Sequence, residues 1–120
     1  MKILIIDDTK LSRMMILKRI PTEVRENSTI IQGSDGEEGV MLYKEHSPDI
    51  VFLDLTMPVM DGFSALPLIK EHNPLAIVYV VTADVQEKSK EKVMELGATS
   101  MEAKPISEER LAEIFASIQE

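Results

Sequence analysis

The chain contains no cysteine, so disulfide frameworks and thiolate metal sites are excluded at the outset. It has no apolar run approaching the ~20 residues that a helix needs to cross a bilayer. Its first residues, Met1 to Ile6, run straight into Asp7 and Asp8, without the h-region and cleavage site of a signal peptide. Basic blocks are missing too, and the formal net charge is −8. General affinity for nucleic acid, which needs clustered Lys and Arg against phosphate, is therefore not expected. No glycine-rich loop follows the first apolar run, which argues against a flavin- or nucleotide-binding subunit. What remains is a soluble, cytoplasmic protein without membrane association, expected to be a monomer.

The 120 residues, 44% hydrophobic and 28% charged, suit one globular domain spanning 1–120 with a single buried core. Two kinds of segment alternate along it. Short apolar runs rich in β-branched residues occur at Ile3 to Ile6, Thr29 to Gln32, Ile50 to Leu53 and Ala76 to Val81, with a weaker one at Ser100 to Ala103. The first, third and fourth lack polar alternation, as parallel strands covered on both faces do. Amphipathic stretches of helical length lie between them: Lys10 to Ile20, Glu37 to His46, Gly62 to Glu71, Val85 to Leu96 and Glu108 to Ile118. Ser34 to Glu37 reads as a capping box, Gly97 as a helix stop and Ser107 as an N-cap. Pro67 disturbs the third helical stretch, which should kink there or begin late with Ser64 as its cap. Five strand–helix pairs with right-handed crossovers give a doubly wound α/β sandwich.

In such a sheet, ligands bind beyond the carboxyl ends of the strands, where strand order reverses. The polar residues at those ends are Asp7 and Asp8, then Asp54, then Thr82, Ala83 and Asp84, then Lys104 and Pro105. Each has a plain alternative when taken alone: Asp7 and Asp8 could cap a helix, and Asp54 could merely solvate a strand end. Their joint occurrence at one sheet edge favours chemistry. Converging carboxylates repel one another unless a cation neutralises them. Oxygen-only ligands suit a hard ion such as Mg²⁺, with Mn²⁺ as a substitute. A carboxylate attacking phosphorus needs that screening, plus donors for the equatorial oxygens. Asp54 is the candidate nucleophile and Asp7 and Asp8 the candidate metal holders. Thr82, Lys104 and the backbone N–H of Ala83 are the candidate phosphoryl donors, and the backbone carbonyl of Thr56 lies close enough in sequence to join the metal ligands.

ILIIDD at 3–8, PDIVFLDLTMPVMDG at 48–62, VVTA at 80–83 and KP at 104–105 together resemble the receiver domains of two-component signalling. The match in order and spacing runs along the whole chain. The resemblance implies a flavodoxin-like (βα)5 sandwich with a parallel five-stranded sheet of order 2-1-3-4-5. It implies a response regulator, a phospho-accepting switch rather than an enzyme. Asp54 would take a phosphoryl group from a histidine kinase, a histidine phosphotransfer protein or a small phosphodonor, and signal to a downstream protein target. Asp7, Asp8, Asp54 and the Thr56 carbonyl would hold Mg²⁺. Thr82, Ala83 and Lys104 would meet the phosphoryl group, with a cis bond between Lys104 and Pro105. Thr56 and Asp84, each two residues beyond Asp54 and Thr82, would tune the phosphoryl lifetime.

The sequence departs from the family at the switch. An aromatic residue usually stands three positions before the strand-five lysine; here it is Met101. Methionine is flexible enough to fill or leave a pocket, so the Thr82–Met101 coupling is expected to persist with a weaker bias between states. The first helix is apolar almost all round. Met15, Ile16 and Ile20 lie on one side and Leu11, Met14 and Leu17 on the other. By register against the resembled family, the second set would face outward as a docking surface for a phosphodonor, or else pack under neighbouring loops. His46 and His72 read as structural residues near helix ends. Two rivals remain. A haloacid-dehalogenase-like phosphohydrolase would want an acid where Thr56 stands. A phosphorylation-independent pseudo-receiver would be favoured by loss of Asp7, Asp8, Asp54 or Lys104, all of which are present.

Overall fold

A computed structural model of the chain describes residues 1–118; the last two residues of the expected 1–120 unit lie outside the described residues. The strands are β1 (Lys2–Ile6), β2 (Thr29–Gly33), β3 (Ile50–Leu53), β4 (Val78–Thr82) and β5 (Ser100–Ala103). All pair in parallel, in the order β2-β1-β3-β4-β5, and the sandwich is flavodoxin-like as the resemblance implied. The helices are α1 (Lys10–Arg19), α2 (Thr22–Glu26), α3 (Gly36–His46), α4 (Gly62–His72), α5 (Glu87–Glu95) and α6 (Glu108–Ile118).

The uniformly apolar strands still alternate in direction, because successive side chains point to opposite faces. Leu4, Ile6, Val51, Leu53, Val78 and Val80 pack with Tyr43 of α3, Leu66 and Ile69 of α4 and Val93 of α5. Ile3, Ile5, Phe52, Tyr79 and Val81 turn the other way, onto Ile16 of α1, Val24 of α2 and Leu111, Ile114 and Phe115 of α6. Phe52 lies 6.0 Å from Phe115 and 6.1 Å from Tyr79, ring centre to ring centre, contacts that contribute about 1 kcal/mol each beyond their buried area. The sheet is thus a covered middle layer, and only its edges meet solvent.

Several boundaries differ from the sequence expectation for identifiable reasons. The short helix α2 was not expected; Pro21 precedes it, and Arg25 beyond Pro21 donates to the Pro21 carbonyl at 2.9 Å. The capping box is displaced by one residue. Asp35, not Ser34, is the N-cap of α3 and accepts from the Glu38 N–H at 2.8 Å, while the Glu38 carboxylate accepts from the Ser34 N–H at 2.7 Å. Gly36 then opens the helix, donating to the Met60 carbonyl at 2.9 Å across a gap that a Cβ would fill. Nor does α4 begin late with Ser64 as its cap. Asp61 caps it by accepting from the Ser64 N–H at 2.9 Å, and Gly62 is tied back to the Leu55 carbonyl, so the first turn is anchored before Pro67 is reached. Helix α5 begins two residues later than expected, because Asp84 takes the Gln86 N–H and the Ser89 hydroxyl and holds Val85 outside the helix. Gly97 ends α5 with φ +100°, and Ser107 accepts from the Arg110 N–H at 3.0 Å, both as expected.

Candidate functional site

Strand order reverses at β1, which lies between β2 and β3. The residues just past β1 and β3 therefore face one crevice. Asp7, Asp8 and Asp54 meet there, each offering a carboxylate oxygen within 4.8 Å of the other two. Asp7 and Asp54 are buried, at 2% and 6% exposure, whereas Asp8 is open to solvent.

Each carboxylate is held by a local device. Asp7 Oδ1 accepts from the Thr9 N–H at 2.9 Å and from the Thr9 hydroxyl at 3.2 Å. Thr9 in turn caps α1 by accepting from the Ser12 N–H at 3.3 Å. Asp54 Oδ1 accepts from the Leu55 N–H at 2.8 Å. That leaves Oδ2 of both residues to Lys104, whose Nζ lies 2.7 Å from Asp7 and 3.2 Å from Asp54. Lys104 arrives at the end of β5, where its N–H donates to the Thr82 carbonyl at 2.9 Å, and the bond to Pro105 is cis.

The charges do not balance. Three carboxylates face one ammonium, and the consequence is visible in Asp54. Burial pushes its carboxyl pKa up; Lys104 pulls it down, Asp7 adds to the rise, and the net direction is upward. For Lys104, burial works against the charged form, but the bond to Asp7 and the attraction of Asp54 and Asp7 outweigh it, and its pKa is raised. A hard divalent cation suits this donor set, which is all oxygen, in excess of negative charge and partly open through Asp8.

The other expected residues surround this centre. Thr82 is buried at the end of β4; its Oγ1 accepts from the Asp84 N–H at 3.0 Å, leaving the hydroxyl proton to donate. Ala83 and Thr56 lie exposed in the turns after β4 and β3. The Asp84 carboxylate is engaged within its own turn by Ser89 at 2.6 Å and Gln86 at 3.1 Å; the Ser89 hydroxyl above all, then the Gln86 N–H, hold its pKa below the usual range. Met101 is half-buried opposite Val80 and packs against the core on the α3–α4–α5 side. The two sides of α1 are less cleanly separated than expected. Leu11 is 74% exposed, Met14 is half-buried, and Leu17 packs against the α6-side core. Ile16 and Ile20 are buried as expected, but Met15 lines a cavity of about 260 Å³ shared with Arg19, Lys104 and Ile106.

Three supporting residues were not singled out from sequence. Thr9 had a legible signal, since a hydroxyl residue two positions after an aspartate and before a helix both closes a turn and caps. Gly62 stands in the sequence only as the end of the 48–62 motif and the first residue of a helical stretch, yet a Cβ there would overlap the Asp54 carbonyl oxygen and lie 2.9 Å from Leu55 Cα. Arg13 gave no local signal at all, because its partners, the Asp7 carbonyl and Gln32, come from other elements.

Comparison with known proteins agrees with this geometry. The family model of the response regulator receiver domain matches residues 3–116. The chemotaxis protein CheY of Bacillus subtilis is 36% identical over 112 residues, 93% of this chain and 92% of that protein. A protein-glutamate methylesterase/protein-glutamine glutaminase of Geobacter sulfurreducens is 37% identical over 113 residues, 92% of this chain; the chain spans only 30% of that protein. Among solved structures, the CheX–CheY–BeF3–Mg²⁺ complex of Borrelia burgdorferi superposes with a TM-score of 0.84 at 34% identity, covering 98% of this chain and 87% of that one.

Proposed function

The chain belongs to the response-regulator receiver family, and on that footing we propose that it is a switch phosphorylated on Asp54 in a Mg²⁺-dependent reaction. The observation that carries this reading is the convergence of Asp7, Asp8 and Asp54 within 4.8 Å beside Lys104. Asp7, Asp8 and Asp54, with the Thr56 carbonyl, would hold the ion, which supplies charge screening for an anion approaching anions. Mn²⁺ offers the same oxygen preference.

Asp54 is the nucleophile. A carboxylate oxygen forms a bond to phosphorus as the bond from phosphorus to the donor breaks, a histidine nitrogen or the acyl oxygen of a small phosphodonor. Leu55 orients Asp54 through its N–H. Lys104, already within reach of Asp54, donates to an equatorial phosphoryl oxygen, and the Thr82 hydroxyl and Ala83 N–H serve the others. Thr56 and Asp84 stand beside the approach of a hydrolytic water and tune the lifetime of the acyl phosphate. Thr82 and Met101 transmit the change to the β5 face. The partners are a histidine kinase or phosphotransfer protein upstream, docking over Leu11 and Met14 at the open side of α1, and a protein target downstream. The Borrelia burgdorferi CheY is seen with a protein partner, BeF3 and Mg²⁺, which supports this reading by likeness. Among the described residues no helix is long and apolar enough to cross a membrane.

Intact mass after incubation with acetyl phosphate tests the proposal. A phosphoryl adduct should form on the wild type only with Mg²⁺ present, and none should form on Asp54→Ala. No Mg²⁺-dependent adduct on the wild type would leave the acids as a structural cation site and the chain as a pseudo-receiver.

A further inference from the structure

We infer that Arg13 is a positioning residue for the cation, setting the aim of Asp8 through the backbone rather than touching the ion or the phosphoryl group. Asp8 has the least support of the three acids. Asp7 is held by Thr9 and Lys104, and Asp54 by Leu55 and Lys104, whereas the Asp8 side chain is solvent-exposed. Its direction therefore depends on the peptide unit joining Asp7 to Asp8. Arg13 holds that unit: Nη1 donates to the Asp7 carbonyl at 2.6 Å.

The guanidinium is itself anchored on the neighbouring strand, where its Nε donates to Gln32 Oε1 of β2 at 2.9 Å. The Arg13 backbone N–H, donating to the Thr9 carbonyl at 3.2 Å, fixes the residue in the first turn of α1. The planar fork thus ties the β1–α1 turn to the neighbouring strand, which a lysine's single ammonium cannot do with the same geometry. Groups that orient a metal ligand from behind commonly change metal affinity about tenfold or more when removed.

Electrostatics alone predicts the opposite sign, and this makes the inference testable. A guanidinium close to a cation site repels the ion, so neutralising it should tighten Mg²⁺ binding by about two- to threefold if charge were all that mattered. If Arg13 acts by positioning, its loss should weaken binding despite that gain.

The inference rests on the Mg²⁺ reading of the acidic crevice, and calorimetric titration with Mg²⁺ alone separates the two. Wild type should bind, Arg13→Gln should bind about tenfold more weakly, and Arg13→Lys, which keeps the charge, should also be weakened. The Thr9 amide should exchange faster in Arg13→Gln without metal, because the turn is loosened. Gln32→Ala, which leaves Arg13 in place but removes its anchor, should lower affinity by a smaller factor and decides the matter if the arginine variants fold poorly. Binding equal to or tighter than wild type in Arg13→Gln, or unchanged binding in Gln32→Ala where that variant decides, overturns the positioning role. A wild type that binds no Mg²⁺ overturns the function itself and the inference with it.

Discussion

Two charged clusters sit a few residues apart along β5 and resolve their charge in opposite ways. Glu102, on the α6 side of the sheet, receives two parallel bonds from Arg110, Nε and Nη2 each at 2.9 Å, and a further one from the Ser100 hydroxyl. Burial would raise its pKa, but these partners outweigh burial and the carboxyl is held below its ordinary range. Lys104, two residues on, faces Asp7 and Asp54 at once, and Asp54 moves the other way. One cluster is saturated with donors; the other is left short of positive charge. A fold gains nothing from the second arrangement by itself, since crowded carboxylates oppose folding. The shortfall makes sense as a seat for a cation that arrives from solution.

The largest test of the comparison concerns what forces the acids together. Gly62 allows the chain after β3 to fold back directly under Asp54, and an added Cβ would strike backbone atoms that have no room to move. Gly62→Ala should destabilise the protein by about 3 kcal/mol in denaturant unfolding and weaken Mg²⁺ binding among the molecules that still fold. A near-neutral effect would mean that the crevice is not held by this close approach.

Next comes the shortfall itself. With Mg²⁺ at a hundredfold excess over its dissociation constant, the wild type should gain about 2.7 kcal/mol of stability by mass action, and chelation should remove it. Asp54→Asn should lose most of that gain yet be more stable than wild type when metal is absent. The sign follows from linkage. Asp54 binds its proton more tightly when folded, so the unfolded chain ionises first, and native stability falls as pH rises from near the unfolded value of 3.8 through the raised folded value. Above that range the metal-free wild type carries the cost, with the attraction to Lys104 already counted in the upward direction. A metal-free Asp54→Asn with a lower melting temperature than wild type would contradict it.

The sequence made the crevice legible because its residues lie where apolar runs stop. Asp7, Asp54, Thr82 and Lys104 each follow a strand that periodicity finds, and parallel pairing then brings strand ends to one edge. The α/β class was legible for the same reason, whereas the sheet order rested on the resemblance to receiver domains. What escaped depends on contacts between elements. Gly36 and Gly62 owe their roles to Met60 and Asp54, which lie across a turn or on another element. That α4 starts at Gly62, despite Pro67, rather than late was not legible, because the anchoring of Gly62 by Leu55 could not be seen locally. The outward face of α1 was read from helical spacing and the register of the resembled family, neither of which shows that Leu17 is engaged by α2, where Arg25 donates to the Leu17 carbonyl at 3.2 Å.

The saturated cluster yields the smallest effect and the sharpest control. Glu102→Gln removes a charge that is fully paired, so it should cost roughly 1 kcal/mol at neutral pH, discounted because the Arg110 side chain is 38% exposed. A carboxyl with a depressed folded pKa stabilises above its unfolded value of 4.5 and loses that contribution as pH falls through the folded value. The cost of Glu102→Gln should therefore be present at pH 7 and shrink toward pH 3, the reverse of the pH trend expected from Asp54. Phosphorylation by acetyl phosphate should stay within about twofold of wild type, because Glu102 points to the α6 side and Lys104 is held by Thr82 and the acids. A larger change in that rate would mean that the two clusters communicate along β5, and that Arg110 and Glu102 belong to the switch rather than to the scaffold.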